Sequence, residues 1–440
     1  MVAPPAVDPL PPRTSGLPGV GSGLSLLRDP SGFLRRQRES LGDTFLVDAF
    51  GYRLLFVFSP EGLRRFYELP EEEASFGLAT YTFVFKHKVP LELVLGRRNR
   101  PHDLFGGSDV EFYLDALESS VGAELDALGA GGRFEIFAFA RRLGHRLGLA
   151  CWAGTEAASP PALDRLIPLL DRLDSSDSFV RPLSTFASLA SKKWRERRAM
   201  RGVEQIFAEI LRQRGAAGAE RGGSGALGDF LDTIHTSYAD LPPGEREVHS
   251  ARDVMVLHMG AQSNLYAALG WTLVNLLLHP ALLDRVRKGD SDLLERCASE
   301  SIRMAQRSLT LRQVLAPLEF DAGGQKFTLA PGVLIATMLS LTNSSAAPGL
   351  DRFDPDHYAG RRLAADVALP ARELVSTFGH GRHSCPAQRF AISAIRVAVL
   401  RLLERFELEP LFADAEPRRR QIGGVARSAR PCRVAYRARI

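Results

Sequence analysis

The segment from Phe378 to Pro386, FGHGRHSCP, concentrates residues whose types and spacing could do chemistry. Two glycines permit a tight turn that can approach a flat ligand closely. Pro386 suits the first position of a helix, because its missing N–H would have no partner there. Cys385 is then expected just before a helix N-terminus, where free N–H groups and the positive end of the helix dipole stabilise a thiolate. Such a thiolate is a strong axial ligand for iron.

The residues alone leave two other interpretations of this loop open. One is a zinc site formed by His380, His383 and Cys385, although three ligands on one turn, with no fourth in view, make poor tetrahedral geometry. The other is a surface loop that carries a cysteine by chance. The remaining cysteines are far apart and form no CxxC pair, which disfavours a disulfide scaffold and fits a reducing, cytoplasmic location. They are Cys151, Cys297 and Cys432.

The loop resembles the haem-binding loop of the cytochrome P450 family, FxxGxRxCxG. Phe378, Gly381 and Cys385 match it outright, His383 stands at the position of the Arg, and Ala387 replaces the final Gly. The change to His keeps a hydrogen-bond donor for a haem propionate. The resemblance therefore implies a haem cofactor with an axial thiolate from Cys385. The loop residues expected to contact it are Phe378, Gly379, His383, Cys385 and Ala387.

Two further elements match the family. Glu300 and Arg303 fit its ExxR element, and because positions i and i+3 share a helix face they are expected to form an ion pair beneath the cofactor. In the following segment, FDPDHY, His357 stands where the resemblance implies an Arg that completes this network, which makes the network weaker or pH-sensitive. Arg312 matches a position that contacts a haem propionate. Arg98 is predicted as a second propionate contact, and a solvated basic patch is its alternative.

The segment Gly260 to Asn264, GAQSN, falls where the family has its oxygen-activation residues, a small pair followed by an acid and a Thr. Ser263 replaces the acid and Asn264 replaces the Thr. The branch with cholesterol and bile-acid hydroxylases and prostacyclin synthase also carries Asn there, and this chain resembles that branch in a soluble, bacterial-type form. We predict Ala261, Ser263 and Asn264 as catalytic. Alternatively, Asn264 only caps a kink in a long helix.

These motifs favour a monooxygenase that uses O2 and electrons from a ferredoxin- or flavodoxin-type partner and its reductase. Arg382, Arg389 and Arg396 are expected on the basic face that the partner would contact. The alternative is an isomerase or peroxygenase that rearranges a lipid peroxide without external electrons, which suits an Asn264 with no acidic neighbour. A haem-containing binding or sensing protein is a third interpretation.

A bulky hydrophobic substrate of the steroid, terpenoid or lipid class is implied by the branch. Its contacts are expected from residues 70–95, from residues 175–191 and from the distal side of the central helix. Leu257, Ala261, Leu265, Phe83 and Phe179 are the predicted lining residues, and each could equally belong to the core.

The elements that must position these residues are mostly helical. The chain has 440 residues, 45% of them hydrophobic, and a net charge of only +5, which excludes a nucleic-acid binder driven by bulk charge. Residues 1–20 form a Pro-rich segment, and residues 21–440 are predicted as one catalytic domain and a monomer. No stretch is expected to anchor the chain in a membrane, because the apolar run Val254–Leu278 contains His258, Gln262 and Asn275.

The resemblance implies a mainly α fold with a minor β part, in which haem is buried between a long central helix and the helix after the cysteine loop. Periodicity predicts a hairpin with Gly51 at its turn over 43–59 and a flexible connector over 215–228. The main helices are expected at 60–67, 109–128, 134–152, 161–173, 191–213, 254–278, 280–288, 291–305 and 386–406. Strands are expected at 309–314, 318–320, 333–335 and within 425–436.

Overall fold

The computed structural model describes residues 10–105, 110–174, 188, 190–220, 229–360, 363 and 369–439. The chain forms two compact units, and each is built from separated stretches of sequence. The first unit comprises Met1–Phe85, Ile302–Cys385 and Arg418–Ala426. The second comprises Lys86–Ser301, Pro386–Pro417 and Arg427–Ile440. The architecture is mainly helical with small sheets, which confirms the predicted fold class.

The first unit is organised by a five-stranded sheet. Its strands lie in the order Thr44–Ala49, Tyr52–Val57, Leu334–Met338, Leu309–Val314, Ala74–Ser75. The predicted hairpin forms its edge, with antiparallel pairing from Thr44 opposite Val57 to Ala49 opposite Tyr52. Gly51 adopts φ +82° at the turn, a conformation that glycine reaches without steric cost. The third strand pairs in parallel with the second, so residues far apart in sequence meet in this sheet.

Short helices and a second small sheet complete the first unit. Strands Leu318–Asp321 and Lys326–Leu329 pair as an antiparallel hairpin, and the second of them was not predicted. The sheet core is apolar and includes Phe45, Phe56 and Phe58. The helices are Gly23–Arg28, Pro30–Leu41, Pro60–Glu68, Phe76–Thr80 and Leu339–Ser345, with a π-helical turn at Tyr81–Phe85.

The described part of the Pro-rich N-terminal segment lies along the first strand. The amide of Thr14 donates to the Leu46 carbonyl at 2.9 Å, and the Leu46 amide donates to the Pro12 carbonyl at 2.7 Å. These bonds satisfy backbone groups on the edge of the sheet. The expectation of a single catalytic domain after residue 20 stays a prediction.

The second unit is a helical body with one three-stranded antiparallel sheet. In the sheet, strand Arg433–Ala438 lies between Gly131–Glu135 and Phe406–Pro410. Ser291–Ala305 matches its predicted bounds and runs from the second unit into the first. The other helices are Leu91–Val94, Pro101–Phe105, Val110–Asp126, Ile136–Ala157, Pro160–Leu173, Trp194–Glu220, Phe230–Ser237, Pro243–Leu278, Pro280–Arg287 and Gln388–Arg405.

Three predicted helix boundaries are corrected. The central helix begins at Pro243 rather than near Val254, so its first part is the polar stretch that apolar periodicity could not mark. The helix that begins at Trp194 continues to Glu220 and includes the start of the predicted flexible connector. The helix after the cysteine loop begins at Gln388, not at Pro386. Cys385 is therefore separated from the first helical residue by a turn.

Among the described residues, no single helix is long and apolar enough to cross a membrane. One bent pair passes a test of length and composition only when its two members are taken together. The members are Pro243–Leu278 and Pro280–Arg287, and the angle between them is 108°.

Candidate active site

The cysteine loop, residues Phe378–Cys385, is closed by its own backbone. The Cys385 amide donates to the Phe378 carbonyl at 2.6 Å, and the Gly379 amide donates to the Ser376 hydroxyl at 3.0 Å. Gly379 has φ +80°, and a Cβ added there would lie 2.4 Å from the His383 carbonyl oxygen. The loop can therefore fold this tightly only with glycine at 379.

Cys385 differs from the other three cysteines in its exposure. It is half-buried, whereas Cys151, Cys297 and Cys432 are buried and none of the four forms a disulfide. Burial raises the pKa of the Cys151 and Cys432 thiols, which keeps them protonated and inert. Of the four thiols, the accessible one is thus the one in the loop.

Arg312 and His383, the two predicted propionate contacts of the first unit, lie side by side. The Arg312 guanidinium is fully buried, and its Nη1 is 3.0 Å from Nε2 of His383. Because a guanidinium only donates, His383 accepts through Nε2 and carries its proton on Nδ1. Arg312 also donates to the carbonyls of Ala74 and Leu69, and Glu71 lies 3.7 Å away. The pair places a buried cation next to the loop.

A polar chain that sequence reasoning missed links the ExxR helix to the cysteine loop. Arg303 is buried and donates to the carbonyls of Asn343 and Leu350. The Asn343 amide nitrogen donates to the carbonyls of Arg303 and Ser376 at 3.1 and 3.0 Å, and its oxygen accepts from the Ser376 amide at 2.7 Å. Ser376 in turn accepts from the Gly379 amide. This chain therefore fixes where the loop begins.

The ion-pair network predicted for Glu300, Arg303 and His357 stays a prediction. Glu300 is fully buried and His357 is half-buried. Arg303 also donates to the Arg352 carbonyl at 3.3 Å, so the backbone just before the FDPDHY segment is tied to helix Ser291–Ala305.

The two loop histidines are occupied by partners that do not suit a zinc site. His380 Nε2 donates to the Val375 carbonyl at 2.9 Å, and its ring packs edge-on against Tyr67. Burial lowers the pKa of His380 and keeps it neutral, and His383 is bonded to Arg312. In the part of the chain that the structure describes, no group of three or more His, Cys, Asp or Glu side chains is arranged to hold a metal ion.

The predicted oxygen-activation segment lies within the central helix of the second unit. Gly260 is exposed there, and a Cβ added to it would meet no atom within 4 Å. The Asn264 side-chain amide donates to the Gly260 carbonyl at 3.2 Å, one turn back along the helix. Ala261 and Ser263 are half-buried, and the Gln262 side-chain amide donates to the Leu170 carbonyl at 3.4 Å. The helix is thus open at Gly260.

Arg98 has partners within the second unit. Its guanidinium binds the Asp240 carboxylate and donates to the Ser237 carbonyl at 2.8 Å, and it stacks on the Tyr238 ring at 4.9 Å. Hydrogen bonding to Asp240 raises the pKa of Arg98. The structure therefore gives this arginine a carboxylate of the protein itself, and its role toward a propionate stays a prediction.

The predicted substrate-lining residues lie in different places. Leu257 and Leu265 are buried in the central helix. Phe83 packs edge-on against Tyr52, with ring centroids 5.5 Å apart, beside the core of the first unit. This position agrees with its alternative interpretation as a core residue. Phe179 lies outside the described residues, as does most of the 175–191 segment.

A buried histidine chain, also not predicted, lies behind the central helix. The Trp152 indole N–H donates to Nδ1 of His258 at 3.2 Å, so His258 must carry its proton on Nε2. That proton points to Nδ1 of His145 at 2.8 Å, and Nε2 of His145 then donates to Asp171 at 3.3 Å. Arg141 pairs with the same carboxylate. Burial lowers the pKa of His258 to about 3 and that of His145 well below its usual value.

Comparison with known proteins gives a family match. Residues 172–434, more than half of the chain, match the profile of the family described as Cytochrome P450. The obtusifoliol 14-alpha demethylase of Sorghum bicolor is 24% identical over 91% of this chain and 85% of the relative. The 24-hydroxycholesterol 7-alpha-hydroxylase of Mus musculus is 22% identical over 98% of this chain and 93% of the relative.

The fold also matches a solved structure. It is titled as a retinoic acid bound cyanobacterial CYP120A1, and it superposes with a TM-score of 0.73 over 98% of this chain and 100% of that chain. The sequence identity is 18%, so this likeness shows the fold alone.

Proposed function

Because this chain belongs to the cytochrome P450 family, whose members are haem-thiolate monooxygenases, we propose that it hydroxylates a bulky hydrophobic substrate of the sterol, terpenoid or lipid class. We further propose that its electrons come from a ferredoxin- or flavodoxin-type partner. The observation that carries the proposal is the half-buried Cys385 at the closed end of a loop that admits only glycine at 379.

The residues of the cysteine loop fit a haem. The Cys385 sulfur would supply the iron ligand, and His383, whose Nε2 accepts from Arg312, would donate its Nδ1–H to a carboxylate group of the cofactor. On the central helix, the space beside Gly260 would leave room for a substrate, because a Cβ added there would meet no atom within 4 Å. When bound, the haem supplies the activation of O2 for insertion into a C–H bond.

The chain's own residues would hold the thiolate and deliver protons. The Asn343–Ser376 bonds keep the start of the cysteine loop in place, so the sulfur stays at a fixed position. Neither Ser263 nor Asn264 can act as a carboxylic acid, so protons would move through the Ser263 hydroxyl and through water. Asn264 would orient that water while its amide stays bound to Gly260.

The sterol-like substrate class is supported by two kinds of observation. Two relatives that match more than nine-tenths of this chain are named for activities on sterols. Asn264 stands in a GAQSN segment similar to that of the cholesterol and bile-acid hydroxylase branch. Both support a substrate with an extended apolar body.

The first test is spectroscopic. We expect the reduced, carbon monoxide-bound protein to show a thiolate-type absorption spectrum that Cys385→Ala abolishes. Cys432→Ala is the matched control, since that thiol is buried, and it should keep the spectrum. A thiolate spectrum that persists in Cys385→Ala would overturn the assignment of the ligand.

The second test addresses the reaction. Purified protein is incubated with a panel of sterols, terpenoids and lipid hydroperoxides, with and without an electron-donating partner. We expect products only when electrons and O2 are both supplied. Products from hydroperoxides alone, without any gain from electrons, would show an isomerase or peroxygenase instead.

The third test concerns the partner. Arg382 and Arg389 are exposed, whereas Arg396 pairs with Glu295 at 3.2 Å. We therefore expect Arg389→Glu to slow electron transfer from an acidic ferredoxin and Arg396→Glu to do so less. Equal rates in Arg389→Glu and the unmodified enzyme at low salt would contradict a basic docking face.

A further inference from the structure

A small cavity of the first unit, far in sequence from the cysteine loop, is rich in arginine. Its volume is about 360 Å³, at the lower end of the range for ligand pockets. It is lined by Asp29, Ser31, Gly32, Arg35, Arg307 and Arg419. Three guanidinium groups therefore surround a space with one carboxylate.

That carboxylate is already engaged with groups of the protein. Asp29 caps helix Pro30–Leu41 by accepting from the Gly32 amide at 3.1 Å, and Arg36 lies 3.9 Å from its other oxygen. In the described part of the chain, no carboxylate pairs with Arg35 or Arg307. Arg35 and Arg307 thus bring two positive charges to the cavity that no carboxylate of the described residues pairs with.

Arg307 is fixed in place by bonds that use only one nitrogen of its guanidinium, Nη1. Its backbone is clamped, since its amide donates to the Gly424 carbonyl at 2.8 Å and its carbonyl accepts from the Gly423 amide at 2.9 Å. Its Nη1 donates to the Met304 and Gln306 carbonyls at 3.1 and 2.9 Å. Capping the end of helix Ser291–Ala305 would explain these Nη1 bonds, but it uses only that one nitrogen.

The energetics also favour a negative ligand. Burial lowers the pKa of Arg307 to about 10, which means that the charged form is poorly stabilised where it lies. The N-terminal end of helix Pro30–Leu41 faces the same cavity, and its dipole adds positive potential. An anion with several oxygens would stabilise both the charged Arg307 guanidinium and the positive end of the helix dipole.

We propose that this cavity binds a small phosphate-bearing anion, such as a diphosphate or a phosphomonoester, between Arg35, Arg307 and Arg419. Arginine suits phosphate because its planar fork donates two parallel hydrogen bonds to two oxygens. A phosphate group also carries more than one charge at neutral pH, which matches three arginines better than a single carboxylate does. The site does not depend on the haem chemistry proposed above.

Isothermal titration calorimetry of the haem-loaded, full-length protein with inorganic pyrophosphate at constant ionic strength tests the proposal. We expect saturable binding that Arg35→Ala and Arg419→Ala each weaken by about tenfold or more. Both side chains are exposed, so neither variant should unfold the protein. Arg64→Ala, an exposed arginine of the same unit that does not line the cavity, is the matched control and should bind like the unmodified protein.

A co-sedimentation arm distinguishes a soluble phosphate from a lipid headgroup. Vesicles of phosphatidic acid and of phosphatidylcholine are compared with the same three variants. Binding of soluble pyrophosphate assigns a free ligand, and binding only to phosphatidic acid, lost in Arg35→Ala and Arg419→Ala, assigns a headgroup. No saturable binding in either arm, or equal weakening by Arg64→Ala, would overturn the site.

Discussion

At the scale of single residues, the Asn343 side chain shows how one amide can position a loop. It satisfies the Arg303 carbonyl and both backbone groups of Ser376, and all of these groups are buried. A buried polar group that loses its partner costs roughly 1–3 kcal/mol. Asn343 therefore stabilises the start of the cysteine loop, because losing its side chain would leave three buried backbone groups without partners.

Asn343→Leu keeps the number of side-chain heavy atoms but removes all three hydrogen bonds. We expect it to lower the free energy of unfolding by about 2–4 kcal/mol and to speed the loss of haem, because the loop is no longer held at Ser376. Urea unfolding and the rate of haem transfer to an acceptor protein measure the two effects. Ser345→Ala, an exposed residue on the same helix, is the control. Unchanged haem loss in Asn343→Leu would contradict the positioning role.

This residue could not be predicted from the sequence, since its partners lie 40 and 33 positions away. Arg312 was named only through resemblance, and no local pattern indicated that it would lie against His383. Cys385 was different, because the glycines and the proline in the same short segment restrict the backbone conformation around its thiol. Short-range constraints are visible in a sequence, and long-range hydrogen bonds are not.

At the scale of elements, helix Ile136–Ala157 and the central helix are joined by buried, uncharged histidines. Helices usually bury apolar residues against each other, but here the contact includes His145 and His258, hydrogen-bonded in one direction from Trp152 to Asp171. In this hydrogen-bonded series, each nitrogen of the His145 and His258 rings is either a donor or an acceptor. Adding a proton to either ring would break that order, because a donor would then face a donor.

Stability should therefore fall in acid. His258 has a pKa of about 3 in the folded protein and near 6.5 when unfolded, so below pH 6.5 the unfolded chain binds a proton that the folded one does not. Its contribution is complete above pH 6.5 and declines as the pH falls towards 3, by about 2 kcal/mol at pH 5. Urea unfolding between pH 8 and pH 5 measures this slope.

His258→Leu is the informative variant for the same slope. It should be less stable at pH 8, since the Trp152 N–H loses its acceptor, yet lose less stability on acidification. His102→Gln replaces an exposed histidine and should leave the slope as it is. Identical slopes in His258→Leu and the unmodified protein would show that the acid sensitivity arises elsewhere.

Elements with clear end signals were predicted well. Ser291–Ala305 and Leu309–Val314 have the expected bounds, because turn residues and apolar periodicity change together there. The predicted central helix started too late in the sequence, since its first turns are polar and carry no apolar periodicity. Lys326–Leu329 was missed because it pairs only with its neighbour in a two-stranded hairpin.

At the scale of the whole molecule, neither unit is a continuous piece of chain. The five-stranded sheet places Leu334–Met338 between strands from residues 52–57 and 309–314. In the second unit, helix Gln388–Arg405 packs on the central helix, and Arg433–Ala438 pairs with Gly131–Glu135. Each unit therefore needs stretches that are far apart in the sequence. The resemblance predicted the helical fold with minor sheets, but not this interleaving, which depends on long-range pairing.

A fragment of residues 1–301 should not fold cooperatively. It keeps the hairpin but lacks the two strands that continue the sheet, and an isolated hairpin is marginal in water. Thermal unfolding followed by circular dichroism should show no sharp transition for this fragment. Co-expression with residues 302–440 is the control and should restore a haem-binding protein. A sharp transition in the fragment alone, at the midpoint of the full chain, would refute the prediction.

Gly260 has a consequence for how this protein can change over time. An exposed glycine in the middle of a helix costs about 1 kcal/mol relative to alanine, and nothing within 4 Å of its would-be Cβ requires it. A chain selected for stability alone would carry alanine there. Position 260 is thus a site where substitution does not first destabilise the fold, and under the function proposed above larger side chains there would change which substrates fit.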